Sequence, residues 1–110
     1  MSDHHPIWDR DSALRRLLNN ETLLNRVLTM FFEQAESRLG EIENLMAEQK
    51  YQDAKVLAHT LKGSAGEVGA TRLHFHLGEL EKALVNAPEQ ASGHYSAVVS
   101  DYHAFSSMAR

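Results

Sequence analysis

The chain has 110 residues, enough for one domain with a single core, and its 43% hydrophobic and 24% charged residues are those of an ordinary globular protein. It contains no cysteine, which excludes a disulfide framework, a thiolate metal site and a cysteine nucleophile. A net charge of -4 with scattered basic residues offers no stripe for nucleic acid, and no apolar run approaches the roughly 20 residues that span a bilayer. The opening MSDHHPIWDRD lacks the basic and apolar segments of a signal peptide, so a cytoplasmic monomer with protein partners is expected, with residues 1–9 as a flexible lead-in.

Apolar residues then recur at helical spacing, with no alternating run that suggests a strand. A short first helix is predicted from Asp11 or Ser12, either of which can cap it, through Ala13, Leu14, Leu17 and Leu18 to the Asn19-Asn20 break. The second helix, Glu21 to Lys50, carries Leu24, Leu28, Phe31, Ala35, Leu39, Ile42 and Met46 at spacings of three and four. It is the longest and should be the spine. A third helix runs from Gln52 to Gly66, and a fourth from Thr71 to Asn86 on Leu73, Leu77, Leu80 and Leu84. The fifth follows Pro88, with Gly93 delaying its start, and carries Tyr95, Val98, Tyr102, Phe105 and Ala109. Short connections favour antiparallel neighbours, so the fold class is all-α, an up-and-down four-helix bundle with a short extra N-terminal helix.

The third helix has one unusual face. At about 100° per residue from His59, the residues Leu57, Leu61, Ser64 and Val68 fall opposite it, joined by Ala54, and form the core side. Lys55, Lys62, Gly63 and Gly66 fall on the side of His59, which is therefore expected to face solvent. A glycine inside a helix costs about 1 kcal/mol relative to alanine. Gly66 and Gly69 are explained as helix-end residues. Gly63 is not. It lies one turn after His59 on the same face, where a missing side chain lets another protein approach the imidazole. Lys62 can reach a phosphoryl group on that ring and offset its charge, whereas Lys55 reads as an ordinary surface charge. Ser64 points inward by the same count and reads as packing with a local backbone bond.

The run HTLKGSAGEVGATRL, His59 to Leu73, resembles the signature of the histidine phosphotransfer domain family: His, any residue, Leu, Lys, Gly, Ser, a small residue, then Gly-Ala. The preceding LLNRVLTMFFEQAESRLGEIENLM and the following LGELEKAL sit where that family has its neighbouring helices. Ala65 replaces a frequent serine and Thr60 occupies a variable position. The resemblance implies that His59 is phosphorylated, that Lys62 interacts with the phosphoryl group and that Gly63 gives the partner clearance. It also implies that Glu81, 22 residues after His59, bonds the ring nitrogen that is not phosphorylated. The partner implied is a receiver domain of a response regulator, whose aspartyl phosphate is donor and acceptor. A hybrid sensor kinase is a candidate parent chain, since IWDRDSALRRLLNNETLL resembles the entry to such domains, and a free-standing protein is the other candidate.

With the proton on Nδ1 held by Glu81, Nε2 is the expected nucleophile; an ordinary exposed imidazole is largely neutral near pH 7 and needs no activating base. The chain shows neither a glycine-rich nucleotide loop nor a carboxylate set for Mg²⁺, so no cofactor of its own is expected and the receiver supplies the metal. Two other readings remain: a protein-binding bundle that carries no phosphate, and a histidine phosphorylated directly by an ATP-binding kinase domain. A docking patch is expected from Ile7, Trp8, Val56 and exposed parts of the first two helices. The paired histidines suggest no metal site. His74 and His76 diverge by about 200° on a helix, and His4 and His5 are merely adjacent.

Overall fold

A computed structural model describes residues 5–110 and contains five α-helices: α1 (Arg10–Arg16), α2 (Glu21–Ala47), α3 (Tyr51–Glu67), α4 (Thr71–Asn86) and α5 (Ala91–Ala109). The last four form the bundle. Neighbours in sequence are neighbours in space, α2 closes the ring against α5, and α1 lies beside α2. At 1.5 Å per residue α2 is about 40 Å long, and the molecule measures 41 × 27 × 20 Å, so this helix spans its long axis.

Three helices end in the same way, with the chain turning through a left-handed residue just past the cap. After α3 that residue is Gly69, φ 79°, and the Ala70 N–H reaches back to the carbonyl of Ala65. After α1 it is Leu18, φ 56°, followed by a second, Asn19, φ 61°, and after α2 it is Gln49, φ 59°. Residues with side chains seldom adopt this conformation, so Gln49 gives no stop signal in the sequence, and α2 ends at Ala47 and not at Lys50 as its pattern suggested. At the other end of the chain Pro88–Gln90 form a 3₁₀ turn that passes directly into α5, so Gly93 lies inside that helix and delays nothing.

The predicted stripes of α2 and α4 form the core, with Phe32 added and Met46 only half-buried. Phe105 of α5 is fully buried, its ring edge-on to Trp8 and Phe31. On α3 the buried side is Ala54, Ala58, Leu61, Ala65 and Val68, whereas Leu57 and Ser64 are half-buried. The core face is therefore rotated by about 40° from the expected one, toward two alanines that let α4 approach closely. Ser64 does make a local bond, donating to the Thr60 carbonyl.

The lead-in behaves differently from the expectation. Residues 1–4, including His4, lie outside those described, but residues 5–9 are docked on the α3–α4 turn. The Trp8 indole N–H donates to the Val68 carbonyl at 2.9 Å, the Asp9 N–H to Gly69 at 2.7 Å, and the Arg72 side chain to His5 at 2.9 Å. Ile7 and Trp8 thus pack, half-buried, against the core. Asp9, not Asp11 or Ser12, caps α1 by accepting from the Ser12 N–H. Arg16 of α1 then donates to the carbonyls of Gly66 and Glu67, neutralising the C-terminal end of α3.

Candidate functional site

Glu81 follows fully buried Leu80 on α4, so it is turned by about 100° to the edge where α3 lies. There its carboxylate meets both predicted site residues of that helix. Oε2 is 2.9 Å from Nδ1 of His59, and Oε1 is 2.9 Å from Nζ of Lys62. A carboxylate only accepts, so the proton of a neutral His59 belongs on Nδ1 and the lone pair on Nε2. Nε2 has no protein partner among the described residues, and the side chain is 64% exposed.

The carboxylate itself is well covered, at 18% exposure. Burial pushes its pKa up, but the close positive charge of Lys62 and the hydrogen bond of His59 together outweigh that and hold it below the ordinary carboxylate value. Lys62 lies off the ideal hydrogen-bond line, so buried Oε1 has a neighbouring positive charge without an aligned donor. An ion pair of this kind holds the ammonium near the imidazole while leaving it free to reorient.

Gly63 is exposed, and a Cβ built on it would meet nothing within 4 Å. No contact among the described residues therefore accounts for a glycine there. On the α4 side of His59, Lys55, Lys62, Gly78, Glu81, Lys82 and Val85 border a groove of about 290 Å³. On the α2 side Val27, Met30, Ser64 and Glu67 border a groove of about 240 Å³. Met30 of α2 and, further along α3, Val56 are more than half exposed.

A family model described as Hpt domain matches residues 26–107, most of the chain. The chain belongs to the Hpt domain family. No curated protein and no solved structure matches it. Hpt domains are phosphocarriers of phosphorelays, without kinase activity of their own, and they interact with receiver domains of two-component systems. In this Hpt domain the matched region holds the whole His59–Glu81–Lys62 cluster, whereas the lead-in and α1 precede it. No helix is long and apolar enough to cross a membrane among the described residues.

His76 and His74 have separate occupations. His76 pairs through Nδ1 with Asp101 of α5, the one buried charged residue among those described, and His74 bonds a backbone carbonyl of α3. Their rings point to different helices, as residues two apart on α4 must. Among the described residues no group of three metal-ligating side chains comes together. Gly78 of α4 escaped the sequence reading, although a glycine inside a helix carries the same signal there as at Gly63.

Proposed function

We propose that Nε2 of His59 accepts a phosphoryl group from the aspartyl phosphate of one receiver domain and returns it to an aspartate of another. One observation carries this reading: Nδ1 is held by Glu81 at 2.9 Å while Nε2 is left open to solvent. As Nε2 attacks phosphorus, the N–P bond forms, the acyl P–O bond breaks and the receiver carboxylate leaves. Positive charge grows on the ring and is met by Glu81 through the Nδ1 proton. Lys62 turns from Oε1 to the phosphoryl oxygens, where a charge-assisted bond offsets the arriving negative charge. Mg²⁺ and the in-line geometry come from the acidic pocket of the receiver. The reverse reaction runs through the same contacts.

Docking is over Gly63, because the α4 flank of the imidazole is filled by Glu81 and Lys62. The receiver then covers Val56 of α3 and Met30 of α2, both more than half exposed.

The test uses the protein with a radiolabelled phospho-receiver and, separately, with ATP and Mg²⁺ alone or with a histidine-kinase catalytic domain. Acid-labile, base-stable label should appear only from the receiver. Label arriving from ATP and the kinase domain in the absence of a receiver would replace the relay reading by direct phosphorylation. Absence of label from every phospho-receiver tried would leave a binding bundle.

Glu81→Ala should slow transfer without stopping it, since the nucleophile and the receiver's metal remain while ring orientation is lost. The change should also alter the proportion of Nδ1-H and Nε2-H tautomers seen by nitrogen NMR. An unaltered tautomer ratio with an unaltered rate would remove Glu81 from the site.

A further inference from the structure

The contact between α3 and α4 is built on two complementary stripes. On α3, His59, Lys62 and Gly66 share one face at spacings of three and four; on α4, Glu81, Gly78 and His74 do the same in the opposite direction. They meet in three rungs. His59 bonds Glu81, Lys62 passes over Gly78, and Gly66 receives the ring of His74.

The last rung is tight. A Cβ on Gly66 would lie 3.1 Å from Nδ1 of His74, closer than ordinary contact, so an alanine there would require the ring to give by a few tenths of an ångström. That Nδ1 donates its proton to the main-chain carbonyl of Lys62 at 2.9 Å. The helix ladder uses one lone pair of this carbonyl, and His74 takes the other. In the middle rung Cδ of Lys62 lies 3.6 Å from where a Cβ on Gly78 would stand, and the stem continues to Glu81. A methyl group would just touch that stem, and a longer side chain would take its path.

We propose that His74 is a positioning residue for Lys62: it fixes the backbone of the lysine in register with α4, and Gly78 leaves the track that delivers the ammonium to the carboxylate beside His59. The proposal rests on reading Lys62 as the phosphoryl-binding residue. A lysine has a flexible four-carbon stem, and holding both its carbonyl and its path removes most of the positions it would otherwise sample. His74 touches neither the imidazole of His59 nor the transferred group; it meets α3 at the Lys62 carbonyl and at Gly66.

The experiment compares His74→Ala, which removes the donor, with His74→Asn, whose amide N–H stands where Nδ1 stood. The first readout is the titration of the Glu81 carboxyl by carbon NMR, on the protein alone; the second is the rate of transfer from a phospho-receiver. His74→Ala should move the Glu81 midpoint up toward the ordinary carboxylate value and slow transfer several-fold. His74→Asn should restore both. Gly78→Leu, with His74 intact, should reproduce the alanine variant. An unchanged midpoint in His74→Ala, or a loss that asparagine does not restore, overturns the proposal. Because the titration needs no receiver, it decides on the interlock even where the wild-type chain accepts no phosphoryl group, a result that counts against the carrier reading instead.

Discussion

His59→Gln is expected to abolish phosphoryl transfer completely while leaving the fold and its stability unchanged. The side chain is 64% exposed and belongs to no part of the buried core, and substitutions at such positions usually change stability by no more than about 0.5 kcal/mol. Glutamine keeps an amide N–H that can face Glu81, so the carboxylate and Lys62 do not lose their neighbour. What disappears is the ring nitrogen with an available lone pair, and no other group on this face can replace it: Lys62 is ion-paired and Gly63 has no side chain. Helicity, thermal midpoint and label incorporation from a phospho-receiver give the three measurements. Incorporation surviving in this variant, or phosphate found by mass spectrometry on His74, His76 or another histidine, would overturn the assignment.

The parts of this site differ in how far the sequence discloses them, and the reasons are physical. Leu24 to Ile42 of α2 and Leu73 to Leu84 of α4 are large apolar residues at helical spacing, and their burial follows from periodicity alone. The end of α2 is hidden because Gln49, and not glycine, takes the left-handed position. The core face of α3 is misplaced by about 40° because Ala58 and Ala65 weigh little in a hydrophobic pattern, yet their small size is what lets α4 come close. His59 and Gly63 are legible because an exposed histidine one turn from a costly helix glycine asks for an explanation.

Glu81 shows the boundary. Its offset from Leu80 places it at a helix edge, but which neighbour it meets depends on the register of two antiparallel helices, and no single helix encodes that. The same holds for His74 and Gly78: each has a partner on α3 only because His59, Lys62 and Gly66 fall opposite in reverse order. Arg16 and Trp8 extend the lesson, since both precede the region that the family model matches and both hold the C-terminal end of the helix that carries the site.

Gly63→Gln should reduce transfer from a receiver by about 10²-fold or more, the penalty for displacing reacting groups by about 1 Å, with no loss of stability. The glycine lies inside α3, and a Cβ there meets nothing within 4 Å, so the folded chain accommodates the new side chain without strain. Removing a helix-interior glycine should even raise stability, by up to about 1 kcal/mol. The cost falls on the partner. A glutamine one turn from His59 projects from the same exposed face, between the imidazole and the Met30 side of α2, which is the approach left open once Glu81 and Lys62 fill the other flank. The receiver would then be held off by the length of a side chain, too far for in-line attack at its aspartyl phosphate. A small phosphodonor such as phosphoramidate has no such bulk, so it should still label His59 in the variant at close to the wild-type rate. That contrast isolates docking from chemistry: equal loss with both donors would mean that the imidazole was disturbed, and an unchanged receiver rate would mean that Gly63 gives no clearance.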